Sequence, residues 1–550
     1  MSIKEILLPF DVELLLIKKV QAGDLTCLYE AGNLRTIKFG DTEILRMVYG
    51  AVRNENWETI AVEISDESME ENENGFIINY AATYLSGDIN YRADFIIEGK
   101  ANNSISFSMK GEALSSFKKN RIGLCILHPI KECAGKNVQI TKPAGTDYQS
   151  VFPVNISPHQ PFLNIQQMDW QTDDGLQATL ALKGDVFETE DQRNWTDSSY
   201  KTYCTPLQIP FPVIVKAGDK IEHQITLAVK QDESYQFNKT INTTREEKIV
   251  FPKIGYCRSN NQEALTEELV AIFKQIPFDH YRVELNINES SYQQQLMDAA
   301  KEAILLNTQL ELVVFLEDDH EKLLLGFINH LELVKNHVAS ILVLHKNYKT
   351  TAHKLIDDVY PIFKKAFPLI QIGYGTNAYF TELNRIPPEQ SPCDFVSFSI
   401  NPQVHASDTR TLLENLEHQP DLITTARLFF FDKSIHVSPV TLKKRSNPDA
   451  TADAGNIQVA DARQHTYFNA FWTLLCVQNF SEAGFITFYE LLGEAGIYRI
   501  NQPSPVYEVL KALKQFNPQY VIKRYCNADL VMDGLMVENE KGERLVFKFV

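Results

Sequence analysis

The sequence predicts an N-terminal antiparallel β-sandwich, then a (β/α)8 (TIM) barrel, then a short C-terminal β segment. Two changes of pattern support this division. Strand-like alternation of apolar and polar residues fills residues 1–240, and short apolar strands then alternate with amphipathic helices over residues 252–515. Residues 516–550 contain two strand-like runs around a turn at 539–542. A chain of 550 residues is long enough for two or three such domains.

The N-terminal domain is predicted from short alternating segments that are bounded by Gly, Asn or Asp, with hardly a helical period among them. The strand-like segments are 34–39, 43–49, 75–84, 89–98, 104–110 and 221–229. Regular spacing of short strands and turns is typical of an antiparallel sandwich. The polar stretch 232–251 is expected to link this domain to the barrel.

The barrel is predicted from eight strand–helix alternations in about 250 residues, which is the usual length of this fold. The expected strands are 253–258, 280–285, 309–316, 340–345, 369–375, 394–400, 435–442 and 484–490. The expected helices are 262–274, 292–307, 320–336, 348–367, 408–418 and 464–480, with 503–513 as the closing helix.

Composition excludes several classes of partner and location. The net charge of −18 argues against a general affinity for nucleic acid or an anionic membrane. No run of about 18 apolar residues exists that could span a membrane, and the N-terminal residues do not have the pattern of a signal peptide. The eight cysteines are scattered along the chain without a C-x-x-C pair, a distribution that indicates reduced thiols. A cytoplasmic protein is expected, with no indication of an oligomeric state.

The segment 185–203 combines carboxylates, cations and aromatic side chains without a period of 2 or 3.6. It is predicted to be a long loop or a pair of irregular strand ends. An ordered, salt-bridged loop is one interpretation. The other is a surface that binds a polyol, in which aromatic faces meet C–H groups and charged groups bond hydroxyls. The side chains expected to hold sugar hydroxyls are Glu188, Asp191, Arg193, Trp195 and Lys201.

The active site of a TIM barrel lies at the C-terminal ends of its strands. In this sequence those ends carry many polar side chains, and the candidates are Asn377, Glu382, His405, Arg463, Tyr489 and Glu490. Each has a structural alternative: Glu490 could pair with Arg445 or Arg463, and Glu382 could begin a helix. A purely structural origin for the whole set is less favoured, because charged groups seldom converge without a function.

The absence of several catalytic and cofactor-binding motifs limits the reactions that the protein could catalyse. There is no G-x-S-x-G elbow, H-E-x-x-H, G-x-G-x-x-G or P-loop, so neither a metal nor a cofactor is expected. Carboxylates, His, Arg, Asn and Tyr suit acid–base hydrolysis of a sugar-like substrate. One alternative is a glycosidase with two carboxylates, although the predicted strands 4 and 7 end without one. A second is a lactonase, and a third is a carbohydrate-binding protein with an inert barrel.

Several segments of the chain resemble those of a known family. They are 120–123 with 127–129, 185–203, 375–385, 401–406, 438–442 with 445–451, and 461–464. These segments resemble hallmark segments of the D-apionate lactonases, and the similarity runs from about Gly32 to Gly496. The resemblance implies hydrolysis of D-apionolactone, a branched pentose lactone, to D-apionate in bacterial apiose breakdown. The expected partner is therefore a small sugar lactone.

Catalytic roles are assigned from chemistry alone. Glu490 is the first candidate for the general base that activates water, and Glu382 is the second, because carboxylates are ionised at neutral pH unless burial raises their pKa. His405 is expected to protonate the departing ring oxygen. Arg463 and Asn377 are expected to stabilise the oxyanion, and Tyr489 to contact the substrate. The 185–203 segment is expected to form one wall of the barrel active site.

Overall fold

The computed structural model describes residues 3–232, 243–259, 262–387, 391–445, 447–448, 460–500, 502–527 and 529–550. Two antiparallel sheets form the N-terminal domain. In spatial order, the strands of the first sheet are Phe162–Ile165, Phe187–Asp191, Ser199–Tyr203, Phe117–Pro129, Thr42–Asn54, Asn33–Phe39, Leu25–Glu30 and Lys18–Ala22, with Val213–Val215 also paired to Phe117–Pro129. Those of the second are Asp147–Val151, Asn137–Thr141, Gln167–Gln171, Leu176–Lys183, Lys220–Gln231, Ser104–Ala113, Ile89–Lys100, Gly75–Ser86 and Val62–Asn72.

The sandwich follows from alternation along these strands. In Ile89–Lys100 every second side chain is buried and the others face solvent or are half-buried, as expected where one face of a sheet packs against a second sheet. Phe95 stacks on Tyr80 at a ring-centroid distance of 4.8 Å and meets Phe107 edge-on at 6.0 Å. The predicted antiparallel sandwich is confirmed.

Eight parallel strands close into a barrel, which confirms the second prediction. They are Lys253–Cys257, His280–Asn286, Gln309–Leu316, Val338–His345, Gln371–Gly375, Phe395–Ile400, Ser434–Val440 and Phe485–Phe488, and are called barrel strands 1 to 8 below. Strands enclosed by helices are buried on both faces, which is why they appear in the sequence as short continuous apolar runs.

Helices surround the barrel. Their bounds are Glu267–Phe273, Tyr292–Leu306, Glu321–Glu332, His353–Ala366, Phe380–Arg385, Thr409–Glu414, Pro420–Phe429, Tyr467–Asn479 and Pro505–Phe516, and Ile130–Cys133 belongs to the sandwich. Several begin at a side chain that accepts a backbone N–H bond, as Thr266, Asp408 and Ser504 do. No helix in the described ranges is long and apolar enough to cross a membrane.

A separate sheet joins distant parts of the chain. Its strands, in order, are Ile3–Leu8, Arg544–Phe549, Gly534–Glu538, Tyr520–Cys526 and Thr244–Val250, with Asp529–Leu530 paired to Tyr520–Cys526. The segment expected to be a linker therefore contains a strand at its end. Its polar side chains suit an exposed edge, where Arg544 bonds Glu246 at 2.8 Å and Lys248 pairs with Glu538 at 2.5 Å.

Buried ion pairs fix the sandwich against the barrel. Arg35, in the sandwich, is 1% exposed and binds Glu30 at 2.9 Å, and it also binds Glu414 at 2.8 Å in a barrel helix. Arg193 likewise bonds Asp421, in the helix after barrel strand 6, at 2.7 Å. Burial costs a guanidinium several kcal/mol of hydration, and separating the domains would leave each arginine without a carboxylate that offsets this cost, so these contacts hold the two domains in one relative position.

Candidate active site

The 185–203 segment is a hairpin at the sandwich–barrel boundary. Phe187–Asp191 and Ser199–Tyr203 pair in register with Glu190 opposite Lys201, and a single 3-10 turn, Gln192–Trp195, joins them. Both strands are buried along their whole length. This burial on both faces removes the period of 2, so the sequence pattern indicated a loop or irregular strand ends where the chain forms regular strands.

A cavity of about 260 Å³ lies between this hairpin and the loops that follow barrel strands 5, 6 and 7. The sandwich contributes Ala51, Arg53, Trp57, Arg121, Gly123, Cys125, Glu190, Trp195, Lys201, Tyr203, Cys204, Leu207 and Phe211. The barrel loops contribute Tyr379, Arg385, Val404, His405, Lys444 and Asn447. The cavity is therefore at the C-terminal ends of the barrel strands, with a wall supplied by the sandwich.

His405 is held by a carboxylate from the hairpin. Its Nδ1 lies 2.7 Å from Oδ2 of Asp197, whose other oxygen accepts a bond of 3.1 Å from Nδ2 of Asn415. Burial lowers the pKa of His405 well below its usual range, and Lys201 and Arg53 act in the same direction. Burial raises the pKa of Asp197 to about 7, against the opposing effect of Lys201. The imidazole is therefore neutral at physiological pH.

A second polar pair faces the same imidazole. Oε1 of Glu190 accepts a bond of 3.1 Å from Nζ of Lys201 and lies 4.0 Å from Nε2 of His405. Burial alone would raise the pKa of Glu190, but Lys201 and then His405 lower it below its ordinary value. Glu190 is thus an ionised acceptor beside a fixed ammonium group.

Aromatic side chains complete the lining. The Trp195 ring meets the His405 ring nearly perpendicularly, with centroids 5.5 Å apart, and the Arg385 guanidinium lies 5.6 Å from the Trp195 centroid. Tyr203 donates its hydroxyl to Glu188 at 2.6 Å. An apolar ring beside directional polar groups is the arrangement that suits a sugar, with its C–H faces and hydroxyls.

The predicted substrate-binding residues of the hairpin separate into two groups. Trp195 and Lys201 line the cavity. Arg193 and Asp191 instead bond each other at 2.7 Å, and Arg193 also donates to backbone carbonyl groups of residues 153 and 154. Glu188 is buried behind Tyr203 and accepts the backbone N–H of Leu207 at 2.7 Å. These three residues support the wall rather than form its surface.

A second polar cluster occupies the centre of the barrel mouth. Glu284 accepts bonds from Arg445 at 2.8 and 2.7 Å, from Arg282 at 3.0 Å and from Asn377 at 3.1 Å. Burial would raise the pKa of Glu284, but the two guanidiniums lower it to about 2. The Arg445 guanidinium lies 4.4 Å from the Tyr489 ring centroid. Asn377 and Tyr489 therefore belong to this cluster.

Glu490 follows barrel strand 8 and is 6% exposed. Its Oε2 has no hydrogen-bond partner within the described part of the chain. Burial raises its pKa, although Ser259 and then Arg445 oppose this. Glu382 lies 3.8 Å from Nζ of Lys349. Arg463 pairs with Asp461 at 2.8 Å and donates to Thr409 at 3.1 Å, so its guanidinium is already bound by its neighbours.

Asp197, Glu190, Arg53 and Arg121 were not among the sequence-based candidates. Asp197 and His405 are 208 residues apart, and no local spacing relates them. Asp185, Cys204 and His223 form a group whose possible ligand atoms lie within 4.8 Å of one another. These are atom types that Zn²⁺ binds, but the Asp185 carboxylate already accepts bonds from Thr205 at 2.5 Å and from the Val186 N–H at 2.7 Å.

The sequence matches two domain models of a single family. Residues 13–232 match the N-terminal domain of D-apionate lactonase, and residues 254–518 match its TIM barrel domain. A D-apionate lactonase of Brucella anthropi is 30% identical over 447 residues, which cover 78% of this chain and 73% of the relative.

Two solved structures are similar at low sequence identity. For a family 39 glycoside hydrolase of Bacteroides cellulosilyticus WH2, the identity is 11% and the TM-score 0.38, over 76% of this chain and 86% of the other. For a β-arabinopyranosidase, the identity is 9% and the TM-score 0.31, over 97% and 90% of the two chains.

Proposed function

Because the chain belongs to the D-apionate lactonase family, we propose that it hydrolyses D-apionolactone to D-apionate in the cavity between the sandwich and the barrel. Five of the six groups of segments that resemble the family contribute residues to the lining of this cavity, and this observation carries the proposal. A volume of about 260 Å³ is near the lower end of ligand pockets, about 300 Å³. It suits a single small sugar.

His405 is the general base of this proposal. With Asp197 ionised, Nδ1–H donates to the carboxylate and the Nε2 lone pair is available to take a proton from water. The water oxygen attacks the lactone carbonyl carbon, and Nε2 receives the proton. When the tetrahedral intermediate collapses, the bond from that carbon to the ring oxygen breaks, and Nε2–H protonates the ring oxygen. The products are a free hydroxyl and a carboxylic acid that ionises.

Lys201 and Glu190 supply the remaining polar groups. The Lys201 ammonium is held by Glu190 at 3.1 Å in a buried position, where a fixed positive charge stabilises a developing oxyanion more strongly than it would in water. The ionised Glu190 accepts a hydrogen bond from a sugar hydroxyl. Trp195 gives the C–H face of the substrate an apolar surface, and its ring lies edge-on to that of His405, which Asp197 holds in place.

A second candidate function is glycoside hydrolysis at the barrel mouth. The observation that favours it is a pair of carboxylates with opposite shifts, since the pKa of Glu284 is lowered to about 2 and that of Glu490 is raised. A glycosidase uses one carboxyl group with a raised pKa as its acid and an ionised carboxylate as its nucleophile or base, and these shifts match those two roles. In the same location Glu490 also remains a candidate base for a lactone, as proposed from the sequence.

The test is acid release in a pH-stat from D-apionolactone, from other aldonolactones and from aryl glycosides. For the lactone, His405→Gln is expected to lower kcat by about 10² to 10⁴, the usual contribution of a general acid–base. His418→Gln is the matched control, because His418 also contacts an aspartate, Asp421 at 3.3 Å, outside this cavity. If Glu490→Gln abolishes turnover and His405→Gln does not, the reacting site is the barrel mouth.

A further inference from the structure

Two arginines lie side by side in the cavity wall. Arg53 and Arg121 are direct partners on neighbouring antiparallel strands, Thr42–Asn54 and Phe117–Pro129. Each is only 7% exposed. Like charges directly opposite each other destabilise a sheet, and burial strengthens their repulsion. A compensating negative charge is therefore expected at this position.

Among the described residues no carboxylate pairs directly with either guanidinium, although Glu188 and Asp185 act on Arg121 and Arg53 acts on Glu190 and Asp197 from longer range. Arg53 donates from Nη1 to the Trp57 carbonyl at 2.8 Å, and Arg121 donates to the carbonyls of Asn120 at 2.6 Å and Pro206 at 2.9 Å. Within the described ranges no carboxylate lies within 4.0 Å of either guanidinium, whereas Arg35, Arg193 and Arg282 all have one. Nε of Arg121 has no hydrogen-bond partner there.

The other charged side chains of the cavity lining are also mainly positive. Besides Arg53 and Arg121 the lining holds three cationic side chains and one carboxylate, Glu190, which is already bound to Lys201. The chain as a whole has a net charge of −18, so this cationic lining is a local feature. The rings of Trp57 and Phe211 flank the Arg121 guanidinium at 5.4 and 4.8 Å, which holds it in place and keeps water from its faces.

We propose that Arg53 and Arg121 form a subsite for the carboxylate of an open-chain sugar acid, the product of lactone hydrolysis. This inference rests on the proposed function for the identity of the acid. A guanidinium presents parallel N–H groups that match the two oxygens of a carboxylate. The lactone carries no charge and the acid carries one. The cavity therefore binds the product more tightly than the substrate, and the sugar acid inhibits the enzyme competitively.

The experiment measures binding rather than turnover. Isothermal titration with D-apionate is compared between the unchanged protein and Arg53→Gln, with inorganic phosphate as a second ligand. The variant is expected to bind D-apionate at least tenfold more weakly. A thermal melt without ligand checks that the variant is folded. Arg53→Lys keeps the charge but loses the paired donors, so its affinity is expected to be intermediate. Arg92→Gln, at an exposed position of the sandwich, is expected to bind D-apionate unchanged.

Equal affinity for D-apionate in Arg53→Gln and the unchanged protein would overturn the subsite, as would the absence of binding. Arginine-dependent binding of phosphate without binding of D-apionate would overturn the carboxylate assignment. If Arg53→Gln does not fold, Arg53→Lys carries the test, and unchanged affinity there refutes paired recognition. Failure of the proposed function gives a different result: no lactone turnover, yet arginine-dependent binding of D-apionate.

Discussion

Replacing Asp197 by Asn tests the His405 assignment most sharply, because the surroundings fix which way the new amide points. Asn415 accepts the Ser198 N–H at Oδ1 (3.1 Å) and donates from Nδ2 to the Pro402 carbonyl (3.3 Å), so its own orientation is determined. Its Nδ2 also donates to Oδ1 of Asp197 at 3.1 Å. The oxygen of an Asn at position 197 must therefore face Asn415, and its NH₂ group must face Nδ1 of His405.

The consequence is a change of tautomer. An NH₂ group facing Nδ1 requires Nδ1 to accept, so the proton of the neutral imidazole moves to Nε2, which can no longer take a proton from water. In hydrolases that use a Ser-His-Asp triad, the equivalent change lowers kcat by about 10⁴. For the lactonase we expect kcat/KM to fall by about 10³ to 10⁴, or about 4 to 5.5 kcal/mol of transition-state stabilisation. The assay is acid release from the lactone in a pH-stat.

A second change should reverse part of this loss. In Asp197→Asn with Asn415→Asp, the NH₂ group of residue 197 can donate to the carboxylate of residue 415, and its oxygen again accepts Nδ1–H. Recovery is expected to be partial, about tenfold or more, because the new carboxylate faces the Pro402 carbonyl. A single Asp197→Asn variant with more than a third of the original kcat/KM would refute the assignment of His405 as the base.

Three further results are expected. Asp197 must be ionised for catalysis, and its pKa is raised to about 7. The value of kcat/KM should therefore increase with pH, with a midpoint near 7. A flat profile from pH 5 to 8 would contradict this. Trp195→Ala should raise KM about tenfold while kcat changes little, because an apolar contact of the substrate is lost; an unchanged KM would place the substrate elsewhere. Arg193→Met should lower the free energy of unfolding, measured in urea, by about 3 to 5 kcal/mol, because two carboxylates lose a buried partner. Arg92→Met is the control: Arg92 belongs to an exposed ion pair, so this change should alter the free energy of unfolding by less than about 1 kcal/mol.

The barrel could be predicted from the sequence because its strands are buried on both faces and so form compact apolar runs between helices. Barrel strand 3 has the predicted bounds, Gln309–Leu316, and barrel strand 6 begins one residue later than predicted. The strand Thr244–Val250 was not predicted, because it lies near a sheet edge and its side chains are mostly polar and exposed. Strand propensity and the period of apolar residues both reflect the burial of side chains, so a strand with exposed, polar side chains shows neither signal in its sequence.

The site was only partly accessible from the sequence. His405 and Lys201 could be proposed from their positions after a barrel strand and in a segment rich in charges and aromatic rings. The partner of His405 could not, because the contact with Asp197 depends on how two domains pack. The same holds for Arg53 and Arg121, which appear as ordinary strand residues until the register of their strands places them opposite each other.

The small sheet that contains Ile3–Leu8 has a consequence for biosynthesis. Ile3–Leu8 pairs in parallel with Arg544–Phe549, so it cannot take its place until the ribosome has made residues 544–549. In the same way, the strand Thr244–Val250 cannot pair until Tyr520–Cys526 has been synthesised. Contacts between residues so distant in sequence form slowly. Sandwich and barrel can therefore assemble during translation, and the sheet then joins 3–8 to 544–549 as a late step.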